Sequence, residues 1–197
     1  MLVGIIADTH ITGPDGIEKM PRSVLEAFRG ADLILHCGDL GTSTAALDEL
    51  EAIAPLKATL GGHNPQNDER VREDQLVVEV EGVRIGLTFQ MEKLAPSAQF
   101  IHEHHTPMKH RLEFPADLDI EGDIKKRFGR PVDVVAFGGT HAAYVGWHQG
   151  VMFVNPGSPT LPEPGAEPEG IVKPAVAPLY IQGGTVSPLI MDLESSK

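Results

Sequence analysis

Apolar and polar positions follow two regimes along the chain. In the first third, short apolar runs of strand length alternate with stretches of helical spacing. Residues 2–7, 32–37 and 56–60 read as buried strands. Between the first two, Ile17, Met20, Val24, Leu25 and Phe28 recur at helical spacing and predict a helix over 17–29. Pro21 falls in its first turns and offers an alternative start, because proline suits the first helical position. Ser43 is placed to cap a second helix over about 44–53, with Leu47, Leu50 and Ile53 on one face. This β-α-β-α-β order predicts parallel pairing with right-handed crossovers.

The pattern then changes. Residues 76–80 and 83–88 flank Glu81-Gly82, a two-residue hairpin signal. Residues 89–118 are poorly periodic and rich in histidine, proline and charge. A short helix is expected over 119–128, and strands over 132–137, 142–148, 151–154, 178–181 and 185–192. Residues 156–178 form a loop of Pro, Gly and Glu long enough to be a lid, an interaction loop or merely mobile. There is no internal repeat and no clean linker. One α/β domain spanning residues 1–197 is expected, with two sheets packed together and helices outside.

Composition narrows the function classes. Hydrophobic residues make up 41% of the 197, which excludes general disorder. Sixteen basic against 28 acidic residues leave a net charge of −12. That argues against a general nucleic-acid surface or an anionic-membrane binder. A small phosphate-containing substrate stays compatible, since a bound cation can dominate the local field. Cys37 is the only cysteine, so no intrachain disulfide forms and a reducing compartment fits. It lies in an apolar run and reads as an inert core thiol. No apolar stretch is long enough to span a bilayer and no signal-peptide pattern is present, so the cytoplasm is the expected location.

The chemistry gathers where strands end. The first apolar run stops at Asp8-Thr9-His10, the second at Gly38-Asp39, and residues 132–137 at Gly138-Gly139-Thr140-His141. Ligand sites of open α/β sheets form at the carboxyl ends of strands. Carboxylate oxygen beside imidazole nitrogen suits Mn, Zn, Fe or Ni. His36, one residue before Cys37, reads as a hydrogen-bonded core histidine. Tyr144 and Trp147 lie on an expected strand and read as core or edge packing.

Taken with Gly61-Gly62-His63-Asn64 and Asn155-Pro156-Gly157-Ser158, this motif order resembles the calcineurin-like metallophosphoesterases. The likeness is to their small bacterial and archaeal phosphodiesterase branch, which includes the retromer subunit of the same fold. The resemblance implies a four-layer α/β/β/α sandwich with a metal site at the strand ends. It implies that Asp8, His10 and His141 hold a first metal and that Asp39 bridges towards a second. The second shell does not carry over, because its other expected positions hold Gly62, Phe89 and Gly139. Those losses imply one ion rather than two, or a second site rebuilt from other residues. Asn64 is one candidate replacement. Another is the group containing His102, His104, His105 and His110, which with Glu103 has a metal-capable composition, although a solvated loop of ordinary polar residues is the favoured reading. His63 stands where the family's leaving-group acid is placed, a role suited to an imidazole; an exposed loop histidine is the alternative.

Two functions from different classes follow. The resemblance implies a metal-dependent phosphoesterase, in particular a phosphodiesterase, hydrolysing a small soluble phosphate ester by metal-activated water. The missing second shell instead favours a weakly active or inactive binding or scaffold protein on the same fold.

Overall fold

In the computed structural model, residues 1–14, 16–94, 99–103, 109–162 and 173–194 are described. The N-terminal third alternates as the hydrophobic pattern predicts: β1 (Leu2–Ile6), α1 (Arg22–Ala27), β2 (Leu33–His36), α2 (Ala45–Glu51) and β3 (Leu56–Ala58). β1 pairs parallel with β2, and β2 with β3. The first helix is shorter than 17–29. It begins after Pro21, which has the extended ψ of a helix-preceding residue. Ser43 Oγ accepts from the Ala45 N–H at 3.2 Å and so satisfies a free donor at the start of α2.

The remainder is strand-rich: β4 (Gln75–Val80), β5 (Val83–Thr88), α3 (Met91–Leu94), β6 (Gln99–Glu103), β7 (Lys109–Glu113), α4 (Ile120–Phe128), β8 (Val134–Phe137), β9 (Ala143–His148), β10 (Val151–Pro156), β11 (Ala175–Gln182), β12 (Thr185–Pro188) and β13 (Met191–Asp192). The β4–β5 turn at Glu81-Gly82 has positive φ at both residues, 46° and 81°, which matches the right-handed twist of a tight hairpin. Asp119 caps α4 by accepting from the Gly122 N–H, and Gly129 ends it in the left-handed region with φ 72°.

Two mixed sheets result. One runs β12-β11-β1-β2-β3, with β13 also on β11; the other runs β4-β5-β8-β10-β9. Period-2 alternation gives each sheet two apolar faces. Val3, Ile5, Ala7 and Leu35 of the first sheet meet Ile85, Leu87, Val134 and Val154 of the second. Ile6 and Ile34 on the outer face pack under Val24, Phe28, Leu47 and Leu50 of the first two helices. Val135, Phe137 and Phe153 pack under Ile120, Ile124 and Phe128 of α4 and Met91 and Leu94 of α3. Three apolar layers separate four layers of secondary structure, the α/β/β/α sandwich expected.

Three departures are informative. The stretch 89–118 holds a short helix and the β6–β7 hairpin, which its mixed composition conceals. The expected strand 185–192 is divided next to Pro178: Leu189 N–H reaches the Pro178 carbonyl at 3.0 Å, but Pro178 has no N–H to return the bond. The expected loop 156–178 is narrower than predicted, since β10 runs through Pro156 and β11 begins at Ala175. Trp147 lies on β9, the edge strand, and is 61% exposed, so it is not packed in the core.

Candidate metal centre

β1, β2 and β3 are parallel in one sheet, and β5, β8 and β10 in the other. Their carboxyl ends meet at one end of the sandwich. The ladders continue past the strands: Asp8 N–H donates to the Gly38 carbonyl at 3.0 Å, Asp39 N–H to Gly61 at 2.7 Å, and Gly138 N–H to Phe89 at 3.1 Å. The loops carrying the candidate ligands are thus extensions of the sheets.

Asp8, His10, Asp39 and His141 converge. One ligand atom from each lies within 4.8 Å of all the others. The His10 and His141 Nε2 atoms are 3.1 Å apart. His10 Nδ1 lies 3.5 Å from Asp39 Oδ1, and His141 Nε2 3.6 Å from Asp8 Oδ1. All four residues have left-handed backbones, with φ 54°, 50°, 54° and 58° in chain order. Among the described residues the other non-glycine residues so placed are Asn67, Glu81 and Gln149. A left-handed L-residue costs on the order of 1 kcal/mol. Four such costs in one place mark a site held in tension by its surroundings.

The surroundings are identifiable. Asp8 is fully buried and accepts from the Gly139 N–H, 2.9 Å to Oδ2. Ser158 Oγ donates to the Asp8 carbonyl at 2.7 Å and accepts from the Leu161 N–H at 2.9 Å. Thr160 Oγ1 donates to the Thr9 carbonyl at 2.9 Å. Asn155, also fully buried, donates to the Thr140 hydroxyl at 3.0 Å and accepts from the Gly157 N–H at 2.9 Å. The Asn155-Pro156-Gly157-Ser158 segment therefore ties both ligand loops together without supplying a ligand, as the turn-shaping reading expects. Leu161 was not singled out from sequence, because it acts through its backbone. Its carbonyl accepts from His141 Nδ1–H at 2.7 Å and turns the Nε2 lone pair into the cluster.

His36 is buried outside the cluster. Gly38 N–H donates to its Nδ1 at 3.2 Å, so the proton sits on Nε2 and donates to Thr9 Oγ1 at 3.0 Å. Thr9 Oγ1 in turn donates to the Leu40 carbonyl at 3.1 Å. Burial lowers the His36 pKa to about 3, which keeps it neutral. It is the core histidine expected. Cys37 is buried and free, its thiol pushed up by burial and then by Asp8.

Burial raises Asp8 to about 8, offset by the Gly139 N–H and reinforced by Asp39. Burial also lowers His10, favouring the neutral imidazole that ligates metals. Among the described residues, every ion-pair partner of Asp8 and Asp39 is a histidine. Two adjacent buried carboxyl groups and two imidazoles form a donor set that fits a divalent cation.

His63 lies at the rim, its side chain 73% exposed. Its backbone N–H donates to Asp39 Oδ1 at 3.0 Å and its Nδ1 is 3.3 Å from the same oxygen. Its ring centre is 6.4 Å from that of His10. Asn64 Nδ2 is 3.5 Å from the Gly62 carbonyl, and its Oδ1 is buried without a hydrogen-bond partner. His104 and His105 lie outside the described residues; His102 is described only in backbone, paired with His110 across the β6–β7 hairpin.

Comparison with known proteins agrees with this geometry. The family model described as the calcineurin-like phosphoesterase superfamily domain matches residues 1–173. A protein of Methanothermobacter thermautotrophicus named "Probable metallophosphoesterase" is 32% identical over 183 residues, covering 93% of this chain and 87% of its own. Vacuolar Protein Sorting 29 of Cryptosporidium parvum superposes with a TM-score of 0.67 at 22% identity, covering 100% of this chain and 93% of its own. A solved structure titled as a novel archaeal phosphodiesterase gives 0.56 at 23% identity, covering 97% of this chain and all of its own. Among the described residues no helix is long and apolar enough to cross a membrane.

Proposed function

The chain belongs to the calcineurin-like phosphoesterase superfamily, and from that premise we propose that it hydrolyses a small soluble phosphate ester, a phosphodiester first, with a divalent transition metal. The observation that carries this reading is the convergence of Asp8, His10, Asp39 and His141 within 4.8 Å at the strand ends. These four residues would hold Mn, Zn, Fe or Ni, in keeping with their mixed oxygen and nitrogen donors. A cation held there supplies Lewis acidity and lowers the pKa of water.

The chain's own groups have separable tasks. Gly139 N–H and the Leu161 carbonyl aim Asp8 and His141. Asp39 orients His63, whose Nδ1 faces the carboxylate while its ring stays open to solvent. An imidazole so placed can hand a proton to a departing alkoxide at the rim. Asp39 therefore serves the site twice, as ligand and as the anchor of the acid.

Hydrolysis of bis(p-nitrophenyl) phosphate tests the reading. Turnover is expected only with added Mn or a similar ion, and Asp39→Ala should abolish it. His63→Gln should lower kcat about 100-fold while leaving the metal content unchanged. Turnover that survives both chelation and Asp39→Ala contradicts the proposal. A second reading, a binding protein on this fold, draws support from the apolar Phe89 beside the cluster. It predicts an ion bound without turnover of any phosphate ester tested.

A further inference from the structure

Beyond Asp39, the positions Gly62, Phe89 and Gly139 offer no ligating side chain. Phe89 follows β5, whose core-facing row is Val83, Ile85 and Leu87. Period-2 alternation puts Phe89 next in that row, facing the opposite sheet. It is 8% exposed. Its ring lies where the segments after β2, β3 and β8 converge. A Cβ added at Gly38 would come within 2.8 Å of the ring, one at Gly138 within 3.3 Å and one at Gly139 within 3.5 Å; one at Gly61 would fall on it. A Cβ at Gly62 would fall on the Asp39 carboxyl group. Gly62 therefore cannot carry a ligand in this backbone, and Asp39 Oδ1 is already engaged by His63.

We propose that the Phe89 ring, seated against Gly38, Gly61, Gly138 and Gly139, fills the position of the family's second cation, so that this side of Asp39 binds none. The inference rests on the metal-dependent reading above and specifies its stoichiometry: one divalent cation per chain. From Gly62, Phe89 and Gly139 a cation on that side would gain no oxygen or nitrogen side-chain donor, only a hydrocarbon ring as neighbour. Hard and borderline cations do not give up hydration without oxygen or nitrogen in return. The glycines are part of the same device. With no Cβ at Gly38 and Gly61, the ring fits between the loops.

Calorimetric titration of tag-free protein with Mn(II), followed by elemental analysis after desalting, tests this. Wild type should take up one equivalent, and Phe89→Leu, which keeps an apolar filler, also one. Phe89→His/Gly139→His, which restores two nitrogen donors, should gain a second, weaker equivalent. Two equivalents in wild type overturn the proposal. So does a double variant with native circular dichroism and an intact first equivalent that gains nothing. If the double variant does not fold, the wild-type and Phe89→Leu counts decide. No bound Mn(II) at all overturns the metal-dependent reading itself.

Discussion

The two sides of Asp39 are built from the same kind of strand-end loop and differ in almost every other respect. On the Asp8–His141 side, two imidazoles and a buried carboxylate converge, and Ser158, Asn155 and the Leu161 carbonyl hold the loops. On the Phe89 side, glycines surround an aromatic ring, and the core simply continues to the end of β5. Both sides are packed, but one spends packing on keeping polar groups aimed at a point and the other on excluding water from it. On the proposed reading, the fold keeps half of a metal centre by supporting it and closes the other half by extending its core.

The largest effect that sharpens this contrast is on stability. Phe89→Ala removes a buried ring and should destabilise the protein by about 3 kcal/mol. The first cation's affinity should stay within a few-fold. Urea denaturation and Mn(II) titration on one preparation check both halves; a tenfold loss of affinity would join the two sides that the account separates.

Next comes the pH response of metal-free protein. Native Asp8 keeps its proton up to about pH 8, whereas the unfolded chain releases it near the ordinary value of 3.8. Stability therefore falls as pH rises between those values. His36 and His10 are lowered and act in the opposite direction, but only below about pH 6.5. From pH 6.5 to 8 the metal-free protein should lose up to about 2 kcal/mol. Saturating Mn(II) should remove the loss, because a bound cation favours ionised Asp8. A flat or rising profile without metal would count against Asp8 as the uncompensated charge.

The smallest effect belongs to Ser158. Ser158→Ala breaks the links to Asp8 and Leu161. It should cost about 1 kcal/mol of stability and about tenfold in cation affinity. Unchanged affinity would show that the ligand loops hold their shape without this tie.

The Asp8–His141 cluster was legible in sequence for a physical reason. Asp8, His10, Asp39 and His141 follow strong apolar runs, so chain position and residue chemistry both point to strand ends. The supporting groups were harder to see. Leu161 acts through a carbonyl, and the Ser158 and Asn155 hydroxyl and amide carry no mark that separates support from turn-making. The left-handed φ of the four clustered residues leaves no trace either, since none is glycine. Phe89 shows the reverse case. Its missing imidazole was evident from motif order, and the alternation Val83, Ile85, Leu87 contained the further signal that it extends the core row. The helix and hairpin in 89–118 stayed hidden, because a short helix and an isolated strand pair need little periodicity.

Anomalous diffraction at the manganese edge, from crystals grown with excess Mn(II), tests the central claim most directly. The account predicts a single strong peak bounded by Asp8, His10, Asp39 and His141, with the Phe89 ring in place beside it. A second peak on the Phe89 side of Asp39, or no peak among the four residues, would contradict it.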